Sequence, residues 1–260
     1  MIRGHNKLAV HLRVLRALML REMITRYGRA SLGYAWAVLE PTAFIALLSL
    51  LFAQVAHSPP VGRSFVLFYA TGYVGFHWFH DISSVTARSV FVNRPLLAFP
   101  PVTPLDTVIA RFLLQALTAI ATGAVIFGTI LAVFADPIAL DIRALMTAFA
   151  LAAALGLGTG MANCWLFAQS RSWELVWGVI SRPLFLISGV FFTFASLPGF
   201  ARDALWYNPL IHVTGFMRAG FYPVYDASYA DMGYVLGVAA ALGVLGMAAI
   251  WRAPARLVTP

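Results

Sequence analysis

Lysine is almost missing from this chain. Lys7 is the only one among 260 residues, although lysine and arginine together number 18. A phosphate-binding loop of the Walker type needs a lysine at the nucleotide phosphates, set behind a glycine-rich turn. Lys7 stands instead in a basic leader, MIRGHNKLAV. The chain therefore carries no P-loop ATPase, and any ATP-driven work it joins requires another subunit to hold the nucleotide. Cysteine is equally scarce: Cys164 stands alone in an apolar run, which rules out an intrachain disulfide and leaves the redox compartment open. Charge of either sign is thin, at 11% of residues, where soluble domains carry about 25%. With 61% hydrophobic residues and a mean hydropathy of +0.82, the composition is that of an integral membrane protein. The net charge of +8 then follows from arginine-rich cytoplasmic segments and anionic headgroups, and calls for no nucleic-acid partner.

The basic residues are concentrated where the chain begins. Arg3, Lys7, Arg13, Arg16, Arg21, Arg26 and Arg29 all fall within residues 1–30. Leu8, Leu12, Leu15, Met19, Met23 and Tyr27 recur every three or four positions among them, with Lys7, His11, Arg21, Thr25 and Arg29 opposite. This pattern predicts an amphipathic helix lying in the cytoplasmic headgroup layer, apolar side toward the membrane. A solvated basic tail is the alternative. The polar leader is too long for a cleavable signal and lacks a small-x-small site, so the first apolar span is expected to remain as an anchor.

Six apolar spans follow, at about 33–56, 65–85, 105–134, 144–168, 174–195 and 229–251, each near the roughly 20 residues a bilayer requires. The expected fold is all-α, with residues 31–260 forming a six-span transmembrane domain behind the 1–30 interface helix. The second span is the weakest, because Gly72, Gly75, His77, His80 and Asp81 dilute it, and the fifth contains Arg182-Pro183. With the N-terminus inside, thirteen basic residues lie on the cytoplasmic side and four on the outer side. That asymmetry places both termini in the cytoplasm.

Two connections are too elaborate to be simple links. The inner one, RSVFVNRPLLAFPPVTP at 88–104, predicts a short helix ending near Asn93, since Pro95 disfavours its continuation. Thr103-Pro104-Leu105-Asp106 reads as a capping box with proline at the first helical position. Phe91, Val92, Leu96, Leu97 and Phe99 make an apolar patch of the kind that docks a partner or folds against the bilayer. The outer connection, 196–228, breaks at Asn208-Pro209 into two halves of about 11 residues. At about 16 Å each, neither half crosses a ~30 Å core. A pair of re-entrant helices fits those lengths.

Several motifs carry competing readings. His77-x-x-His80-Asp81 presents two imidazoles on one face but no third metal ligand. Leu186-Ile187-Ser188-Gly189 lacks the first glycine of an intramembrane serine protease motif. A membrane-embedded enzyme using His77, His80, Asp81 and His212, or a passive scaffold, are the readings from other classes. Gly156-Leu-Gly-Thr-Gly160 has no strand before it, and is read, with Gly233 and Gly237, as close helix packing. Glu40 and Arg182 lie within spans, where ionisable groups face a polar path or pair with each other, Arg29 or Arg111. Trp36 falls at a span end, while Tyr34, Tyr73 and the group from Phe185 to Phe192 fall on spans. These aromatics either line a path on which sugar rings stack or fill a core.

Four stretches then carry a resemblance. Leu32-Gly-Tyr-Ala-Trp-Ala-Val-Leu-Glu-Pro41, Pro104-Leu-Asp-Thr-Val-Ile-Ala-Arg111, Arg182-Pro-Leu-Phe-Leu-Ile-Ser-Gly189 and Trp206-Tyr-Asn-Pro-Leu-Ile-His212 resemble the permease subunits of ABC-type capsular polysaccharide exporters. Phe99-Pro100-Pro101 departs from the family's Tyr-Arg-Pro. The resemblance implies a homodimer in the bacterial inner membrane, paired with two ATPase subunits that carry ATP and magnesium. It implies a periplasmic copolymerase-like adaptor, an outer-membrane channel and a lipid-linked polysaccharide. O-antigen and teichoic-acid exporters share the architecture. Under this resemblance Arg88, Phe91, Val92, Arg94, Arg171 and Glu174 would couple to the ATPase. Tyr34, Trp36, Glu40, Tyr73, Arg182, Phe185 and Phe192 would line or gate the channel. Trp206, Asn208, Pro209 and His212 would shape the re-entrant cap at about 197–222. No cofactor or metal is expected on this chain itself.

Overall fold

A computed structural model describes residues 7–27, 33, 35–99, 102–134 and 140–252. The described residues form helices joined by turns and loops, with no strand among them. In chain order the helices are α1 (Lys7–Tyr27), α2 (Ala35–Val55), α3 (Phe65–Ala87), α4 (Ser89–Val92), α5 (Pro104–Phe134), α6 (Ile142–Gln169), α7 (Arg171–Leu186), α8 (Gly199–Trp206), α9 (Pro209–Phe221) and α10 (Met232–Arg252). Short 3₁₀ turns cover Arg94–Ala98 and Phe194–Ser196.

Four helices, α2, α5, α6 and α10, are long and apolar enough to cross a membrane. α3 has the length, about 34 Å at 1.5 Å per residue, but not the hydropathy. The reason is its position. α3 packs against α2, α5, α6 and α9, and its Phe68, Ala70, Val74, Phe79 and Ile82 are buried in the centre of the bundle. Protein wraps this helix rather than lipid: Gly72 and Gly75 admit close neighbours, and each histidine meets a ring, His77 on Tyr73 and His80 on Phe76.

Local chemistry sets the helix boundaries. Ser64 Oγ accepts the N–H of Leu67 to open α3, and Asp141 accepts from Arg143 and Ala144 to open α6. Thr103 and Asp106 form the expected reciprocal box at the head of α5, N–H of Thr103 to Oδ2 at 2.9 Å and N–H of Asp106 to Oγ1 at 3.2 Å. The inner connection divides as its prolines dictate, with α4 ending at Val92 before the turn that contains Pro95.

The expected fifth span, 174–195, is not one helix. α7 stops at Leu186, the chain turns through Gly189 at φ +78°, and the following segment runs beneath the bundle surface. Gly189 adopts a left-handed conformation that side chains with a Cβ resist. Val190 beyond it lies so close to Gly72 that a Cβ on that glycine would sit 2.9 Å from the Val190 Cα. The glycine packing also differs from expectation. Gly156 and Gly160 bear on α3 at Ile82 and Thr86, while Gly158 bears on the Ala239 carbonyl of α10. The reciprocal glycine on α10 is Gly246, set against Met161 and Ala162; Gly237 faces open space and Gly233 meets only Asp231. Register, not the presence of a small-residue pair, decides which glycines meet.

The bundle has two distinct ends. At one, α1 packs on α5, and Val90, Val108, Met161, Cys164 and Ile250 form a small second core under the inner connection. At the other, the Asp141 N–H donates to the Gly220 carbonyl and Gly62 lies against the ring of Tyr222.

Candidate functional site

One face of α3 carries a ladder of aromatic, polar and charged side chains: Tyr69, Tyr73, His77 and Asp81 at intervals of four, then Ser84 and Arg88. Helical periodicity stacks these residues into a single seam along the helix. Aromatic rings from α2, α7 and the turn after α7 complete its upper part. Phe44 lies 4.6 Å from the Tyr73 ring and 5.8 Å from Phe185, and Phe191 lies 5.3 Å from Phe185 and 5.8 Å from Phe52. His77 stacks on Tyr73 at 5.3 Å and sets its Nε2 3.5 Å from Asp81.

Lower down, the seam opens into a cavity of about 990 Å³ between α3, α5 and α7. Phe76, Trp177 and Phe185 supply apolar wall, and Arg88, Arg111 and Arg182 bring three guanidinium groups to it. Arg88 donates to Glu174 Oε1 through Nε at 2.9 Å and lies 2.8 Å away through Nη2. Arg111 donates to Glu22 of α1 through Nε at 2.9 Å and Nη2 at 2.6 Å. The cavity is therefore aromatic toward mid-bundle and ionic toward the end that carries α1.

α1 is fastened to that end by polar contacts. His11 Nδ1 lies 3.0 Å from the Asp106 carboxylate, Arg21 Nη1 donates to Asn93 Oδ1 at 3.0 Å, and Glu22 holds Arg111. His11 and Arg21, placed by periodicity on the side away from the apolar stripe, thus face protein. Leu12, Leu20, Met23 and Ile24 remain exposed. Arg13 and Arg16 are exposed beside them, Leu18 is buried and Leu15 and Met19 are half-buried, so the expected apolar stripe does not form one unpartnered side.

The other sequence candidates fall as follows. Phe91, 58% exposed, and Val92 stand out from α4, with the Arg94 guanidinium 4.0 Å over the Phe91 ring. Glu174 joins Arg88, so the two predicted coupling segments, at α4 and at the head of α7, are linked directly. Arg171 opens α7. Tyr34 lies outside the described residues. Trp36 and Glu40 do not enter the aromatic seam; they face a separate groove between α2, α3 and α5, of about 250 Å³. Glu40 pairs with neither Arg182 nor Arg111, since Arg111 is taken by Glu22. Tyr73, Phe185 and Arg182 do line the seam or its cavity. Phe192 does not join the ring cluster among the described residues. The chain has turned at Gly189, and Phe191 takes that place while the Phe192 carbonyl accepts from Arg218.

The four cap residues converge. Asn208 Oδ1 accepts the Leu210 N–H ahead of Pro209, and its Nδ2 donates to the Ile187 carbonyl. Trp206 donates its indole N–H to Tyr229. His212 Nε2 lies 2.7 Å from the Trp206 carbonyl, while Nδ1 accepts the Asp231 N–H. Since Nδ1 must accept, the proton sits on Nε2, and both nitrogens are committed to backbone. His212 is a structural corner rather than a catalytic group. The Ser188 hydroxyl likewise donates to the Leu184 carbonyl. His77 and His80 diverge, the latter stacking on Phe76. In the loop beyond, the N–H and hydroxyl of Ser228 hold the Asp226 carboxyl below the usual carboxylate range.

The sequence alone counts Arg218 only among the four basic residues of the outer side and gives it no role. It is 1% exposed, donates to the Phe192 carbonyl at 2.6 Å and sits 4.4 Å over the Phe68 ring. The residue stands in an apolar helix, and only the turn after α7, brought alongside from 26 residues away, makes sense of it. A conspicuous arginine on an otherwise apolar 13-residue helix was the available signal.

Long apolar helices around a seam that is aromatic in its middle and ionic at one end define a multi-pass membrane protein of the transport class. The chain belongs to the ABC-2 type transporter family, matching it over residues 13–222. It is 30% identical to the capsule polysaccharide export inner-membrane protein CtrC of Neisseria meningitidis serogroup A over 94% of this chain and 92% of that one. Identity to the polysialic acid transport protein KpsM of Escherichia coli is 30%, over 84% and 85% of the two chains. For the capsule polysaccharide export inner-membrane protein BexB of Haemophilus influenzae it is 31%, over 92% and 91%.

Proposed function

We propose that this protein is the membrane-spanning subunit of an ATP-driven exporter that moves a lipid-linked capsular polysaccharide across the bacterial inner membrane. One observation carries the reading above all others: similarity over most of the chain to two inner-membrane proteins named for capsule polysaccharide export and to one named for polysialic acid transport. The seam is compatible with that cargo. Aromatic faces offer sugar rings an apolar surface without tight binding, and Arg182 offers acidic groups a cation at the cavity, where Arg88 and Arg111 are held by Glu174 and Glu22.

In this reading α2, α3, α5, α6, α7 with its following turn, and α10 make six spans, with both termini cytoplasmic. The segregation of basic residues supports that orientation, and α8–α9 form a re-entrant pair on the periplasmic side. Residues 1–30 are the interface helix and 31–260 the transmembrane domain. Two copies form the channel with two ATPase subunits, which hold ATP and magnesium. The exposed Phe91 and Val92, braced by Arg88–Glu174, are the docking surface for that ATPase. A periplasmic adaptor and an outer-membrane channel carry the polymer onward.

The test is deletion of the gene in its native host. Polymer is expected to accumulate in the cytoplasm while synthesis continues; normal surface polymer would overturn the reading.

A further inference from the structure

Trp36 and Glu40 of the Leu32–Pro41 signature do not feed the aromatic seam, which leaves their purpose open. They form one wall of the separate groove, facing Trp78 and Asp81 of α3 and Gln115 and Thr118 of α5. At about 250 Å³ the groove is far too small for a polymer and of the order of a single sugar ring. Its chemistry is distinct from that of the neighbouring cavity. No arginine, lysine or histidine lines it among the described residues, whereas the cavity across Asp81 holds Arg88, Arg111 and Arg182.

Two carboxylates and the hydroxyl oxygens of Thr118 and Thr122 make the groove rich in acceptors, one of them, Asp81 Oδ2, already taking a 3.3 Å hydrogen bond from Gln115. Glu40 is exposed and carries no ion pair among the described residues. A carboxylate within an apolar span is costly unless it meets a polar group. Trp78 is only 7% exposed, and its indole N–H has no hydrogen-bond partner. A buried, unpaired donor costs about 1–3 kcal/mol, which a ligand acceptor would offset. Trp36, 59% exposed, offers a broad ring face at the rim.

We infer that this groove binds one neutral pyranose ring. The ring's hydroxyls donate to Glu40 and Asp81, an oxygen accepts from Trp78, and its apolar face lies on Trp36. Phosphate and carboxylate groups are repelled by the two acids; across Asp81, Arg182 is the cavity arginine without an ion pair among the described residues and the one that can meet them. The groove thus deepens the export reading, on which it rests, by assigning the neutral and acidic parts of a glycan to different compartments.

The experiment uses the complete exporter in lipid nanodiscs and saturation-transfer NMR. The probes are the methyl glycosides of glucose, galactose, mannose and N-acetylglucosamine, with glucose 6-phosphate as the charged control. At least one neutral glycoside should bind with an affinity tenfold or more above that for glucose 6-phosphate. Glu40→Gln and Trp36→Ala should each weaken it tenfold or more, and Trp36→Phe should retain most of it. Absence of binding across the panel, equal binding of the phosphate, or indifference to both substitutions overturns the inference. Polymer export by the same preparations is followed in parallel. Intact export with no glycoside binding defeats the groove alone, whereas loss of the export reading shows in the deletion strain.

Discussion

Replacing Glu22 by alanine should release α1 from the bundle without unfolding it. Glu22 and Arg111 are 89 residues apart and expose only 8% and 11% of their side chains. Removing one partner of such a pair costs about 3–5 kcal/mol, because the remaining charge is left in poor solvent. α1 packs principally on α5, so the loss is local to that contact. At about 1.4 kcal/mol per decade, amide exchange along Leu12–Thr25 should rise roughly a hundred- to several-thousand-fold. The ceiling is set by the remaining ties of α1, His11–Asp106 and Arg21–Asn93. The assay is hydrogen exchange with mass spectrometry on the exporter in nanodiscs, with α6 as internal control. Glu22→Met combined with Arg111→Leu should recover most of the protection, since no orphaned charge remains. Unchanged exchange in Glu22→Ala, or no recovery in the double variant, would refute the reasoning. If α1 transmits ATPase motion, Glu22→Ala should also hydrolyse ATP with reduced export.

Other expectations follow from the same contacts. Arg218→Met leaves the Phe192 and Val190 carbonyls without their donor, at roughly 1–3 kcal/mol each, and should lower the melting temperature measured by intrinsic fluorescence. Gly158→Val should drive α6 from α10, because a Cβ there would lie 2.3 Å from the Ala239 carbonyl. Gly237→Ala, facing open space, should be neutral, and size-exclusion profiles of the two variants make the comparison. Phe91→Glu should leave the fold intact but abolish co-purification with the ATPase subunit, because it charges an exposed apolar side chain of the proposed docking surface.

Much of the fold was legible because its signals are local. The capping box at Thr103–Asp106, the Asn208-Pro209 break and the proline-limited α4 each depend on residues within a few positions, and each stands where it was expected. The seam was partly legible. Tyr73 and Phe185 announced themselves as aromatics on spans, but Phe191 could not be preferred to Phe192 until the chain turned at Gly189. Arg218 and the Glu22–Arg111 pair were hidden because their partners lie 26 and 89 residues away.

Composition by itself determined that this protein lives in a membrane, is built of helices and carries no P-loop ATPase. Those conclusions are averages over long stretches, and hydrophobicity summed over 20 residues does not depend on what a helix touches. Tertiary structure decided which helix could be poor in apolar residues, which glycines meet and which charges pair. It also placed Trp36 and Glu40 in a groove beside the aromatic seam rather than within it. Each of those outcomes turns on which face of one helix meets which face of another. That is set by the packing of the whole bundle, which no stretch of the chain contains.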